Sequence, residues 1–352
     1  MSNHILYQSV DEIESYRLRR EHEQRVADVI QLPDASLSLK DNLLIAKQNQ
    51  VKVIILGIPE DIGPRANCGY GGALNAWMHF LPVLLTQQQN EFFDWSQVML
   101  LGTIKVDDLL KMSHLATMSD HRLSSLRDLC SQLDGRVADV LTPVFAEDFK
   151  VIVIGGGHNN AYPIIKSLSQ ATDKQVSCVN LDPHADFRAT EGRHSGNPFR
   201  YAYKNEFLKH YFVLGLHEQK NNVETLTGLH DAGFPYITYQ QLFVEHSVEF
   251  VEAVNIAKGY VDNSDEYIGI EVDLDAIKHV SASAYSATGF HSEQALHYIY
   301  QMAKLDNSQY LHLCEAAPDD NEPSNHKALE VGQLLTQMTY SFVTGATVPS
   351  RQ

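Results

Sequence analysis

Cysteine is scarce in this sequence: Cys68, Cys130, Cys178 and Cys314 are scattered through 352 residues and never form a Cys-x-x-Cys pair. That excludes a disulfide framework and a cysteine-based zinc site, and predicts a cytoplasmic, reducing compartment. Long apolar runs are missing too. No stretch approaches the ~20 residues that span a bilayer, and the polar, mixed-charge beginning of the chain lacks the apolar centre of a signal peptide. Positive charge is in short supply, with 27 lysines and arginines against 44 aspartates and glutamates, a formal net charge of −17. Such a field repels nucleic acid and anionic membranes, leaving small molecules, metals and protein surfaces as partners. A dinucleotide fingerprint is also lacking. The loop at residues 58–73 is rich in glycine, but most of its glycines come too late after the preceding strand and do not follow Gly-x-Gly-x-x-Gly. A long loop of this kind, carrying Arg65 and Asn67, equally suits the wall of a substrate pocket.

What the sequence does contain is a regular alternation of strand and helix. Apolar residues make up 44% of the chain, enough for a substantial core. Aliphatic runs at 51–57, 98–102, 151–154, 177–181, 211–216, 267–275 and 310–315 predict strands. Helical spacing marks the stretch from about residue 74, residues 109–133 and residues 329–343. Alternation of this kind predicts parallel βαβ units, hence an α/β fold with a helix-covered, mainly parallel sheet. No linker or repeat divides it. Residues 9–29, with Ile13, Tyr16, Leu18 and Val26 at roughly helical spacing, predict a surface helix. The expected organisation is a helical extension over 1–50 followed by one catalytic domain over 51–352.

The chemistry concentrates at strand ends. Asp182, His184 and Asp186 stand at alternate positions after the run at 177–181, so an extended backbone would point all three the same way. The carboxyl ends of strands are where open α/β sheets hold their ligands. Two carboxylates and an imidazole suit a divalent metal such as manganese, iron, zinc or nickel. The same residues also suit a polar strand exit whose aspartates cap the next turn. Further candidates decide between these readings: His158 after three glycines, and Asp273 and Asp275 at the end of another apolar strand. Two aspartates there are costly without a cation. Six ligands, four of them carboxylates, are too many for one catalytic ion and suit two, which would share a hydroxide.

Gly-Gly-Gly-His at 155–158, Asp-x-His-x-Asp at 182–186 and Val-Asp-Leu-Asp at 272–275 together resemble the metal-binding motifs of the ureohydrolase family of arginases, agmatinases and formimidoylglutamases. The similarity runs from about residue 51 to 343. It implies a three-layer α/β/α sandwich of arginase type, a homo-oligomer, and two Mn²⁺ ions per subunit, with other divalent metals possible. By the resemblance, His158, Asp182, Asp186 and Asp273 hold one ion, and Asp182, His184, Asp273 and Asp275 the other. It also sets the register of the third motif: Asp273 and Asp275 match the family's Asp-x-Asp, and Glu271 stands where the family usually carries serine.

Finer details are most similar to formimidoylglutamase. They include His158-Asn159-Asn160-Ala161-Tyr162, with asparagine replacing glutamate at 159, and Ser195-Gly196-Asn197-Pro198-Phe199-Arg200, with asparagine replacing threonine at 197. Arg65-Ala66-Asn67 also resembles that group's early loop. Independently, Arg188, Arg193 and Arg200 lie within thirteen residues beside the metal motif, where arginine forks suit carboxylates of an acidic substrate. Three solvated loop arginines are the competing reading. Candidate substrate contacts are therefore Asn67, Arg188, Arg193, Asn197 and Arg200. The resemblance makes Glu315 the group that pairs with an amidinium or guanidinium, Asp186 the carrier of a proton to the leaving nitrogen, and His194 a proton relay. The reaction so implied is hydrolysis of N-formimidoyl-L-glutamate to glutamate and formamide. A urea-releasing enzyme acting on arginine or another guanidino compound is the alternative, and a non-catalytic metal-binding homologue the third.

Overall fold

Runs of β-branched and aliphatic residues become strands that are buried on both faces, as parallel sheets require. In the computed structural model, which describes residues 4–17, 20–118, 120–262, 265–318 and 326–347, these strands are β1 (Ile5–Tyr7), β2 (Val53–Gly57), β3 (Val98–Ile104), β4 (Lys150–Ile154), β5 (Val176–Leu181), β6 (Leu208–Leu216), β7 (Tyr236–Thr238), β8 (Tyr267–Asp273) and β9 (Ser308–Cys314). They form one nine-stranded sheet in the order β1-β3-β2-β4-β9-β8-β5-β6-β7. β1 pairs antiparallel with β3, and the other neighbouring strands pair parallel.

Period-two alternation divides the apolar side chains into two cores. On one face Val179 and Leu181 of β5, Ile270 and Val272 of β8, and Leu311 and Leu313 of β9 pack with the helices Ala76–Leu85, Phe250–Asp262, Ser292–Ala303 and His326–Thr347. On the other, Val151 and Val153 of β4 and Tyr211 and Val213 of β6 pack with the helices Leu39–Gln48, Arg122–Ala146 and Ala161–Thr172. The result is the three-layer α/β/α sandwich with a mainly parallel sheet. β8 and β9 come last in the chain and insert between β4 and β5. That makes the centre of the sheet the place where strand order reverses, and the crevice above such a point is where open α/β sheets bind ligands.

The first fifty residues are less separate than expected. β1 extends the sheet, and Leu39, Leu43 and Ala46 join the second core. The single helix expected at 9–29 is instead two short ones, Val10–Tyr16 and Val26–Val29, while Leu18 lies outside the described residues. The break has a local cause: the guanidinium of Arg17 turns back to the carbonyl of Ala27 at 3.0 Å, folding the segment on itself. Residues 109–133 likewise belong to two helices, Asp107–Ala116 and Arg122–Ala146. Thr117 caps the first by donating its hydroxyl to the His114 carbonyl. β1 and β7, three residues each, are too short to leave a periodic signal.

β1 docks where β3 carries Gly102, whose φ of +126° disfavours a side chain and whose added Cβ would lie 2.0 Å from the Leu6 carbonyl oxygen. Gly102→Ala is expected to cost about 1–3 kcal/mol and to release the edge strand. Hydrogen exchange checks this through the Gln8 and Lys105 amides, which bond to Leu101 and His4. They should lose protection while β4 and β9 keep theirs; unchanged exchange at the edge would sink the idea.

Candidate metal centre

Four adjacent strands, β4, β9, β8 and β5, deliver the candidate residues to one crevice. After β4 the glycines at 155–157 lead into a 3₁₀ turn, His158–Asn160. That turn is held by Glu60, a buried residue with no sequence signal beyond its place in the loop after β2. Glu60 accepts hydrogen bonds from the Gly157 amide at 2.8 Å, the Asn160 side chain at 2.7 Å and the Ile62 amide at 2.6 Å, so one carboxylate ties two strand-end loops together. The stretch 182–186 is a turn rather than an extension of β5. Asp182 Oδ1 accepts from the His184 amide at 2.6 Å, Asn221 Oδ1 accepts from the Ala185 amide at 2.8 Å, and Asp186 has a φ of +45°. The three side chains are thus brought together by turn geometry and not by strand alternation. At the end of β8 Asp273 Oδ1 accepts from the Asp275 amide at 2.9 Å.

The side chains form two overlapping clusters. His158 Nδ1 lies 2.9 Å from Asp186 Oδ2, 3.2 Å from Asp182 Oδ2 and 3.4 Å from Asp273 Oδ2. His184 Nδ1 lies 3.1 Å from Asp275 Oδ2 and 3.5 Å from Asp182 Oδ1. Ligand atoms of His158, Asp182, Asp186 and Asp273 fall within 4.8 Å of one another, as do those of Asp182, His184 and Asp275. Asp182 belongs to both groups. Asp273, expected in both, groups with His158 alone. A third group, His158, His312 and Cys314, is buried behind the first.

Two observations test whether this set fits a metal. Both imidazole nitrogens of His158 and Asp275 Oδ1 are buried without a hydrogen bond, although polar atoms so placed are nearly always satisfied. Carboxylates also outnumber the cationic groups beside them: their described ion pairs are with the imidazoles of His158 and His184, and among the described residues no lysine or arginine forms an ion pair with Asp182, Asp186, Asp273, Asp275 or Glu315. Burial, then the charges of Asp275 and Asp182, push the Asp273 carboxyl well up. Oxygen and imidazole donors with such an excess of negative charge fit divalent cations.

The clusters open on a cavity of about 120 Å³ whose lining includes Asp186, Asp273, Asp275 and Glu315 together with Asn67, Arg188, Lys220 and Asn222. A wider hollow of about 470 Å³, lined by Tyr70, Arg188, Lys220 and Tyr285 among others, adjoins it. Glu315 has a φ of +61° and is fixed from two sides: the His158 amide donates to Oε1 at 2.7 Å and the Ser283 hydroxyl donates to Oε2. Burial pushes its carboxyl up to about 8, so a cation placed opposite would favour its ionised form. Ser283 carries no recognisable motif and was not among the expected residues.

A family model described as the arginase family matches residues 51–340. The chain belongs to the arginase family. Among curated members it is 26% identical over 247 residues to a formimidoylglutamase of Streptococcus pyogenes, covering 66% of each chain. It is 24% identical over 151 residues to that of Staphylococcus carnosus, covering 43% of this chain and 48% of the relative. The chain therefore spans about half to two-thirds of the length of these relatives. Among solved structures, a Trypanosoma cruzi formiminoglutamase with Mn²⁺ superposes with a TM-score of 0.70 at 20% identity, over 93% of this chain and 100% of that one. Bacillus subtilis formimidoylglutamase gives 0.67 at 16% identity over 92% and 93%. The fold is that of these enzymes.

Within this arginase-family crevice, the expected substrate contacts divide. Asn67 and Arg188 line the cavity; Arg193, Asn197, Arg200 and His194 do not. Arg193 is buried, with Nε 2.8 Å from Asp134 Oδ2, Nη2 2.7 Å from the Asn159 carbonyl and its guanidinium over the rings of Tyr162 and Tyr201. Asn197 ties the loop from within, donating to the carbonyls of Ala189 and Gly192 and accepting from Arg193. Arg200 pairs with Glu224 away from the cavity. His194 is buried, its Nδ1 accepting from the Gly196 amide at 3.1 Å and its Nε2 2.9 Å from Asn197. Burial, with the charges of Arg127, Arg193 and Arg188, holds its imidazole down at about 3. A neutral ring engaged inside its own loop does not suit proton relay. Closeness in sequence to the metal motif did not reveal which way these side chains face.

Removing Arg193 leaves Asp134 buried and unpaired, so Arg193→Ala should lower stability by about 3–5 kcal/mol. Arg200→Ala should cost under about 1 kcal/mol, because its partner Glu224 is half in solvent. Denaturant unfolding compares the two; equal losses would contradict this division.

Proposed function

We propose that this chain is a binuclear-metal hydrolase of a linear amidine, acting on N-formimidoyl-L-glutamate to give L-glutamate and formamide. The observation that carries the reading is the mixed charge of one cavity lining: the carboxylates Asp186, Asp273, Asp275 and Glu315 together with Arg188 and Lys220. A substrate that is cationic at its reacting end and anionic at its tail matches both. Formimidoylglutamate has an amidinium and two carboxylates, whereas agmatine has no carboxylate for the cations to hold. The names of the relatives point the same way.

His158, Asp182, Asp186 and Asp273 would hold one ion, and Asp182, His184 and Asp275 the second; we propose Mn²⁺, the metal with the Trypanosoma cruzi enzyme. Such ions supply Lewis acidity and an acidified water. The chain's own part is positioning. Glu315, locked by Ser283 and the His158 amide, accepts hydrogen bonds from the amidinium nitrogens and directs the formimidoyl carbon toward the acid clusters. Facing that cation the Glu315 carboxyl ionises, which strengthens the contact. The water oxygen adds to the formimidoyl carbon and the bond to the glutamate nitrogen breaks. Asp186, which lines the cavity, passes the water's proton to that nitrogen through its carboxylate oxygen. Arg188 takes a tail carboxylate with its planar fork and Lys220 takes the other as a point charge. The proposal extends to a homo-oligomer, as the family resemblance implies, and to the cytoplasm, as the scattered cysteines suggest; no described helix is long and apolar enough to cross a membrane.

The test is a product assay of Mn²⁺-loaded protein offered formimidoylglutamate, arginine, agmatine and guanidine, with formamide, urea and ammonia read separately. Formamide and glutamate from the first alone are expected. Urea from a guanidino compound would transfer the chemistry to another substrate, and no turnover would end the catalytic reading. Arg188→Ala and Lys220→Met should each raise KM for formimidoylglutamate roughly 10–100-fold, the weight of a hydrogen bond to a charged group, with a smaller change in kcat.

A further inference from the structure

Beneath the metal clusters lies a second polar tier that the proposed reaction does not use. Parallel register sets Asn180 of β5 beside Glu271 of β8, and Glu271 beside His312 of β9. Asp273 and Cys314 sit two residues above on the same face, and Cys178, Gly269 and Tyr310 two below. All three members of the tier are fully buried. Each reaches up or across: Asn180 Nδ2 donates to Asp182 Oδ2 at 3.0 Å, while Glu271 Oε2 is 2.7 Å from His312 Nδ1 and 3.5 Å from His158 Nε2.

Glu271 is also held from below. The Tyr310 hydroxyl donates to Oε1 at 2.6 Å, and it gets there because β8 has glycine at 269. A Cβ on Gly269 would stand 2.2 Å from Tyr310 Cζ and 2.3 Å from its hydroxyl oxygen. The strand thus gives up a side chain so that a tyrosine crosses beneath it to reach this carboxylate. Burying a carboxylate costs several kcal/mol, and Glu271 stands where the family resemblance puts a serine. Beside it His158 turns Nδ1 to three aspartates and leaves Nε2, 3.5 Å from Glu271 Oε2, without a hydrogen bond; Asn180 Oδ1 and His312 Nε2 are likewise unsatisfied.

We infer that Glu271 is a positioning residue for the metal centre: braced by Tyr310 and His312, it holds the Nε2 side of His158 so that Nδ1 is presented to Asp182, Asp186 and Asp273. A carboxylate behind a histidine ligand fixes the tautomer and ring orientation and raises the basicity of the donor nitrogen. The inference rests on the metal reading above, and its test separates the two.

Mn²⁺ titration of chelator-treated protein by calorimetry, with thermal unfolding alongside, is done on wild type first. If wild type binds no Mn²⁺, the metal reading fails and this inference falls with it. Given binding, Glu271→Gln should weaken affinity 10–100-fold in the His184→Ala background, which keeps the His158 cluster. In the His158→Ala background the same change should alter affinity less than twofold, because a residue acting through an imidazole has nothing left to act on. Equal losses in both backgrounds would make Glu271 merely structural, and no loss in either would overturn the inference. Should Glu271→Gln fail to fold, Tyr310→Phe keeps the ring and removes one brace. It is expected to weaken Mn²⁺ roughly 3–10-fold, again through His158, and unchanged affinity would be equally fatal.

Discussion

Negative charge brought together with two imidazoles but no paired lysine or arginine among the described residues governs this structure. Asp182, Asp186, Asp273, Asp275 and Glu315 share a crevice with two imidazoles, and isolated buried carboxylates are among the most expensive groups a fold can contain. Their mutual repulsion is tolerable if cations enter, so the same feature that weakens the unliganded fold creates affinity for divalent ions. Other features serve to keep these groups in place. Glu60 clamps the loops after β2 and β4, Asn221 clamps the turn after β5, and Ser283 with the His158 amide fixes Glu315.

Selectivity follows from where charge of the opposite sign is allowed. The chain as a whole is strongly acidic, yet Arg188 and Lys220 join the lining of a cavity that reaches the acid clusters. The other arginines of that loop, Arg193 and Arg200, are occupied by Asp134 and Glu224. A cavity whose lining carries both signs of charge favours a ligand that carries both as well.

The polar layer under the crevice shows how such a site is supported in an otherwise apolar sheet. On the face opposite it, β5, β8 and β9 carry Val179, Leu181, Ile270, Val272, Leu311 and Leu313 in an uninterrupted core. On the site face the same strands carry Asn180, Glu271 and His312. One face secures the sheet by burial while the other spends stability on polar groups that are worth having only when their network is complete.

The sequence by itself determined the fold class and the candidate ligands, because both rest on local order. Alternating aliphatic runs and helical spacing specify strands and helices, and His158, Asp182, His184, Asp186, Asp273 and Asp275 follow directly after strands that had to end on one edge. Short elements escaped it: β1 and β7 have three residues each, and the N-terminal helices are defined by an arginine turning back on the chain. Only the tertiary structure decided which side chains face the cavity. Arg188 and Arg193 are five residues apart in one loop, yet one lines the crevice and the other is buried against Asp134, a partner 59 residues away. Lys220, Ser283 and Glu60 carry no motif because their roles come from contacts between distant segments, such as the 97 residues between Glu60 and Gly157. Periodicity encodes which face of a strand is buried; it does not encode which neighbour waits there, and a loop has no periodicity to read.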